Sequence, residues 1–388
     1  MNDLLLRNAL VHDPFTSTSR ETHVVIDAGM IVSLDASDTT PARHVLDVEG
    51  AHVLPGLIDL HTHYYRWSTP LGYDPRRYSF RDGVTTIVDA GSAGALTLPG
   101  LVQTARGIGR GNLFAFVNLS TIGIIHNEVG ELHDLRTADV DLLAEAVEKH
   151  RDFVVGIKLR LSRWVNGEDP DNAREALQRA LAAGDRTGVP LMVHVFDPSL
   201  ALIEILDALR PGDIVTHVFS RSRESVVASQ ENWDALLRAR ARGVVLDVGC
   251  GRGGLDFSVG REAIARGLYP DTISSDLTEV TADGPVFGLT ATMSKMLAIG
   301  MPFEEVLRAV TANPAAVLRR PELAELREGA VANLAVLAVE RGSYEFEQLQ
   351  FLEQVVETVT HDQSVRALAT VLEGRVVVGD ARLSAQEV

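Results

Sequence analysis

The sequence predicts an α/β fold: a TIM-type (β/α)8 barrel carrying a small β-sandwich domain assembled from both chain ends. Three observations predict it. Eight short apolar runs recur between residues 56 and 276, helical periodicity fills the intervals between them, and β-branched, strand-like segments occupy both termini. The interval 55–320 also matches the usual barrel size of about 250 residues. An open doubly wound sheet is the runner-up, and it would spread its strand ends along a crevice.

Taken in order, residues 1–54 show strand-like runs at Leu4–Val11, His23–Ile26, Met30–Leu34 and His44–Val48, with the turn-like Asp27-Ala28-Gly29 between the second and third. Residues 321–388 answer with Val331–Val339 and with Val365–Val378, a hairpin pattern around Gly374. These two stretches are expected to form the β-sandwich. The barrel strands are expected at GLIDLHTH (56–63), VTTIVDA (84–90), LFAFVNLS (113–120), FVVGIKLR (153–160), PLMVHV (190–195), DIVTHV (213–218), GVVLDVG (243–249) and DTISSD (271–276). Helices are expected between them, as at Pro170–Thr187, where Ala176, Leu177, Ala180 and Leu181 share one face, and at Asn232–Arg242.

Composition narrows the function classes. With 388 residues and 46% hydrophobic content, the chain can bury a large core. A net charge of −17 argues against nucleic acid and anionic membrane as partners, since both are bound through basic surface. A small-molecule substrate fits better. Cys250 is the single cysteine, so an intrachain disulfide and a thiolate metal cluster are both excluded. The N-terminal MNDLLLRNALVHDP does not read as a secretory signal, and no stretch has the length of a membrane span, so a cytoplasmic location is expected. A homo-oligomer is also expected.

Five metal-friendly side chains and one lysine stand at the ends of predicted strands: His61, His63, Lys158, His194, His217 and Asp276. A parallel barrel gathers those ends around one pocket. His61 and His63 are two residues apart, which puts both imidazoles on one strand face, although an isolated pair of this kind is as often a hydrogen-bonded loop. His194 and His217 end separate strands 23 residues apart, about one βα unit. Imidazole and carboxylate without thiolate favour zinc, with manganese, iron or cobalt as alternatives.

Lys158 does not fit a ligand set as an ammonium, because it is cationic and has no lone pair. In a dry barrel mouth its pKa falls. The neutral amine can then add carbon dioxide to form an anionic carbamate, whose two oxygens can bridge two cations. The bland alternative is a lysine that closes its strand and reaches solvent. Asp276 can ligate a metal with one oxygen and take a proton from water with the other, because a metal lowers the pKa of water toward about 7. Its bland alternative is a helix cap. Arg160, two residues beyond Lys158, can clamp a substrate carboxylate or form a structural ion pair.

These residues carry a resemblance. PGLIDLHTH (55–63), GVTTIVDAGSAGA (83–95), GIKLRLS (156–162), LRPGDIVTH, YPDTISSDL, TANPAAVL (311–318) and REGAVANLAVL (327–337) resemble the amidohydrolase superfamily, in its branch with two metals and a carboxylated lysine. Within it the chain looks most like a predicted deacetylase subgroup once grouped with dihydroorotases. The resemblance implies His61 and His63 on the more buried metal, His194 and His217 on the more exposed one, carboxylated Lys158 bridging both, and Asp276 on the buried metal. It further implies two divalent ions, Zn2+ or Mn2+, and attack of a bridging hydroxide on an amide or acyl ester carbonyl, with Asp276 shuttling the proton.

Two departures bear on substrate choice. The branch usually has a histidine at Cys250 and histidine-glycine-proline at Asp283-Gly284-Pro285, and both positions are expected to border the pocket. The expected substrate is a small amino-acid-like or hydroxy-acid-like compound bearing a carboxylate and an acyl group. Opening of a cyclic amide is the alternative chemistry, and a noncatalytic relative of the barrel is the alternative outside enzymes. A one-metal deaminase is disfavoured by Lys158 and by the Val195-Phe196-Asp197-Pro198 that follows His194. Gly249, Gly251 and Gly254 spell GxGxxG, read here as a flexible loop after strand seven, and Asn118-Leu119-Ser120 is a sequon without a secretory context.

Overall fold

The structure is a computed structural model that describes residues 1–126, 129–350, 355–379 and 385–387. Its strands are β1 (Asn2–Asp13), β2 (Thr18–Asp27), β3 (Met30–Ser33), β4 (Ala42–Asp47), β5 (His52–Pro55), β6 (Leu57–Thr62), β7 (Val84–Gly94), β8 (Asn112–Asn118), β9 (Val154–Leu161), β10 (Leu191–Val195), β11 (Ile214–Thr216), β12 (Val245–Asp247), β13 (Leu334–Gln350), β14 (Val355–Leu372), β15 (Arg375–Gly379) and β16 (Ala385–Glu387). They form two sheets.

β6 to β12 lie side by side in chain order, every neighbouring pair parallel. Helices connect them, among them Pro170–Thr187, whose bounds are those expected, and Gln230–Ala241. Alternate strand residues enter different apolar clusters: Ile87 and Val117 belong to one, Val88 and Phe116 to another. Both faces of the sheet are therefore covered, which is why its strands read as continuous apolar runs rather than as alternating ones.

The eighth expected strand, 271–276, is not a regular strand. It touches both edges of the sheet through single parallel bridges, Thr272 to Asp247 and Leu277 to Thr62. Val248 N donates to Thr272 O at 3.1 Å and Cys250 N to Ser274 O at 2.9 Å on one side, and Asp276 N donates to His61 O at 2.7 Å on the other. The sheet is thus curled and joined edge to edge. At the end of the segment Asp276 takes φ +49, a left-handed backbone that ends extended geometry there.

The chain ends do meet in one sheet. Its path runs β15-β14-β13-β5-β1-β2-β3, with β4 pairing both β1 and β16. Val53 of β5 lies opposite Val336 of β13 in an antiparallel ladder, which joins the N-terminal strands to the C-terminal ones. The expected hairpin around Gly374 is the antiparallel pair of β14 and β15, and β13 runs well past the expected Val331–Val339 to pair antiparallel with β14. Gly342 and Ser343 fall in a register shift between Arg341 and Tyr344, a bulge that lets the ladder continue. The hairpin thereby reaches the barrel: Val365 N donates to Ser294 Oγ at 2.8 Å and Gln348 Nε2 to Gly251 O at 2.9 Å. Among the described residues, no helix is long and apolar enough to cross a membrane.

Candidate metal centre

His61, His63, Lys158, His194, His217 and Asp276, which lie as far as 215 residues apart in sequence, line one cavity of about 230 Å3 together with Arg160. Strand ends explain the convergence. β6 delivers His61, with His63 one residue past its end, β9 delivers Lys158 and Arg160, and β10 delivers His194. His217 and Asp276 follow β11 and the bridging segment, both with left-handed backbone, φ +64 and +49. Such conformations cost on the order of 1–3 kcal/mol each and persist where surrounding contacts hold them.

His63 Nε2 and His61 Nε2 approach the same carboxylate oxygen, Asp276 Oδ1, at 3.1 and 3.4 Å. The period-two expectation is met: both imidazoles face one point. His217 Nε2 lies 2.8 Å from His194 Nδ1. One ligand atom from each of His61, His217 and Asp276 falls within 4.8 Å of those of the other two. Lys158 Nζ donates to His61 Nε2 at 3.1 Å and to Met192 Sδ at 3.2 Å.

Proton positions on two of these rings follow from their partners. Thr216 Oγ1 gives its only proton to Asp247 Oδ2 at 2.7 Å, so at 3.0 Å it accepts from His61 Nδ1. Gly249 O, which can only accept, lies 2.7 Å from His217 Nδ1. Both imidazoles therefore turn an unprotonated Nε2 into the cavity. Burial keeps them neutral: it drives His61 and His194 well below the usual imidazole value and His217 down to about 4, with Lys158 adding to the effect at His61. Burial alone raises Asp276, but His63, His217 and Lys158 outweigh it and hold its carboxyl below the ordinary range. Lone pairs from two imidazoles and a carboxylate aimed at one small volume form a donor set suited to a divalent cation.

Lys158 is fully buried, and burial lowers its amine to about 7 against the opposing pull of Asp276 and Asp247. The bland reading of a solvent-reaching lysine fails. Gly91 explains the tight fit, since a Cβ there would stand 2.5 Å from Lys158 Cβ, and its φ of +88 suits glycine.

Several supporting residues lie outside the set that sequence reasoning reached. Asp247 accepts from Thr216, Thr272 and Ser274, each at 2.9 Å or less, and so orients His61 through Thr216. It ends an apolar run just as Asp276 does, so the same signal marks it. Ser92 Oγ lies 2.8 Å from His63 Nδ1 and Ser162 Oγ 3.2 Å from His194 Nε2, and neither has a signal in a single sequence. Gly251 takes φ +39, and a Cβ on it would stand 2.0 Å from Asp276 Oδ2, so the GxGxxG loop is a close-packed backing for the carboxylate rather than a flexible segment.

Two expectations are corrected. Neither Cys250 nor Asp283 lines the cavity. The Cys250 thiol turns away toward Gln348 Oε1, 3.4 Å, while Tyr78 Oη donates to Asp283 Oδ1 at 3.4 Å. Arg160 does line the cavity but is held in an ion pair with buried Glu131.

An edge-joined parallel sheet with imidazoles, a buried amine and a carboxylate at its C-terminal mouth defines a class, that of hydrolytic enzymes with a metal-compatible His-His-Asp cluster. The chain belongs to the amidohydrolase family, whose model matches residues 52–377. It is 37% identical over 297 residues to a deacetylase of Agrobacterium fabrum, covering 75% of this chain and 72% of that one. It is 29% identical over 382 residues to a deacetylase of Enterococcus faecalis, covering 96% and 98%. A crystal structure of a dihydroorotase superposes with a TM-score of 0.87 at 30% identity, covering 98% of both chains. A noncatalytic reading is set aside by this membership.

Proposed function

We propose that the protein is a binuclear metal-dependent deacetylase-like hydrolase that cleaves an amide or acyl ester bond of a small amino-acid-like or hydroxy-acid-like compound. The observation that carries the reading is the pair of unprotonated Nε2 atoms that His61 and His217 turn into the cavity beside Asp276, with one ligand atom of each of the three residues within 4.8 Å of those of the other two. His61, His63 and Asp276 would hold one ion and His194 and His217 the other. Lys158, whose amine burial brings to about 7, has a neutral fraction near pH 7 that could add carbon dioxide through its nitrogen with loss of a proton, and the resulting carbamate would supply an anionic ligand to the ions. Zinc fits this donor set, with manganese as the alternative.

When bound, the divalent ions polarise a carbonyl and acidify water toward a pKa of about 7. Asp276, held ionised, takes the proton of the attacking water. Water oxygen bonds to the carbonyl carbon, the C–N or C–O bond breaks, and Asp276 returns the proton to the leaving nitrogen or oxygen. His61 and His217 are held in their ligating tautomers by Thr216 and Gly249 O throughout.

In this reading residues 55–320 form the hydrolase barrel, and 1–54 with 321–388 a β-sandwich. The partner is a carboxylate-bearing small molecule rather than nucleic acid or membrane, the enzyme works in the cytoplasm, and copies of the chain assemble as a homo-oligomer. The acidic net charge and the single cysteine support the first two statements. Likeness to a dihydroorotase favours one second reading, opening of a cyclic amide. Metal analysis of protein produced with zinc or manganese, followed by a screen of N-acetyl amino acids, O-acetyl hydroxy acids and dihydroorotate, separates them. Absence of bound divalent ion would defeat both.

A further inference from the structure

We propose that Arg252, rather than Arg160, binds the substrate carboxylate and so selects anionic substrates. The inference rests on the hydrolase reading above and adds the residue that recognises the leaving portion of the substrate. Both arginines line the cavity. Their electrostatic states differ.

Arg160 is 8% exposed and paired with Glu131, which is 4% exposed. The second oxygen of Glu131 accepts from Asn118 Nδ2 at 2.9 Å, so the pair is pinned from behind. An approaching carboxylate meets that guanidinium and the Glu131 charge together, and the net attraction is small. Separating the pair would leave Glu131 buried without its counter-ion, a cost of several kcal/mol.

Arg252 is exposed at the cavity and, among the described residues, has no ion-pair or hydrogen-bond partner. Its backbone is nonetheless fixed. Cys250 N donates to Ser274 O and Gly251 N to Ser275 O, both at 2.9 Å, and Gln348 Nε2 donates to Gly251 O at 2.9 Å. Gln348 is itself fully buried and accepts from Lys295 Nζ at 2.8 Å. A rigid loop thus presents a cation whose five N–H donors are uncommitted, the arrangement that recognises a carboxylate in bidentate fashion. Leu71, Trp164, Phe196 and Val280 supply apolar lining, with the Trp164 and Phe196 rings edge to face at 5.5 Å. The geometry points to an acylated compound with an apolar side chain and a free carboxylate.

The test pairs N-acetyl derivatives of D- and L-leucine and D- and L-phenylalanine with their carboxamides, and measures kcat/KM for each pair on the intact enzyme. The expected wild-type preference for the acid is about 10- to 100-fold, the range of a charge-assisted hydrogen-bonded contact. Arg252→Met should bring that ratio within about threefold of unity, mainly through KM, and Arg252→Lys should restore part of it. A wild type indifferent to the carboxylate, or a ratio that collapses in Arg160→Met but survives in Arg252→Met, would overturn the proposal. If no pair is hydrolysed, cleavage of these N-acetyl amino acids is excluded separately, while ester or cyclic-amide hydrolysis stands to be tested by the screen above. Calorimetric affinities for the same pairs then decide, an acid-to-amide ratio unchanged in Arg252→Met counting against the assignment.

Discussion

His61 and Thr216 are joined at 3.0 Å by a hydrogen bond that runs in one direction, from the imidazole Nδ1 to the hydroxyl, because the threonine proton is committed to Asp247. The consequence is an Nε2 lone pair directed at the cavity. Thr216→Val removes the acceptor and leaves Asp247 short of one donor. Metal affinity should fall about 10- to 100-fold, as for other losses behind a ligating histidine. Competition against a chelator measures it, and Thr216→Ser should restore most of the loss. Equal affinity in the valine variant would mean that the hydroxyl does not orient the ring.

The carbamate proposed on Lys158 should make metal uptake depend on pH. The lysine amine titrates near 7 in the metal-free protein, below the ordinary lysine value of 10.5, and only the neutral amine adds carbon dioxide. The neutral fraction rises as pH rises through about 7, so bicarbonate-dependent reconstitution of stripped protein should be slow at pH 6 and fast at pH 8. Lys158→Ala should lose most metal from one or both sites by elemental analysis. Undiminished occupancy would remove the bridging role.

Asp276→Asn keeps the side-chain volume but cannot accept a proton. Turnover should drop about 10²- to 10⁴-fold, the usual range for a positioned acid or base, with thermal unfolding within a few degrees of wild type. An active variant would reassign the base.

Gly251→Ala places a methyl group 2.0 Å from the present position of Asp276 Oδ2, on a backbone at φ +39. Urea unfolding of metal-free protein should show a loss on the order of 1–3 kcal/mol. Activity should fall further than stability, since in the proposed mechanism the displaced carboxylate is the proton acceptor. A silent substitution would show that the loop yields freely.

Gathering at the barrel mouth was legible for all six proposed centre residues, because apolar runs mark parallel strands and a period of two puts His61 and His63 on the same side, although Asp276 ends a bridging segment rather than a regular strand. Their partners were less legible. Ser92, Ser162 and Thr216 are common residue types in common positions, and what distinguishes them is the residue each meets from another strand. Glu131 lies in the stretch between β8 and β9 that has no strong periodicity, yet it decides that Arg160 is paired rather than available.

The length of β13 beyond the expected Val331–Val339 run was not legible, and with it the contact of Gln348 to the loop that carries Arg252. Local pattern determined the elements, the parallel sheet and the residues that would gather at its mouth, since side-chain direction along a strand depends only on near neighbours. Tertiary structure decided which charges are neutralised and which imidazole nitrogen keeps its lone pair. Those outcomes depend on hydrogen bonds between segments as far apart as Asp59 and Ser275, 216 residues in sequence, and no local periodicity encodes them.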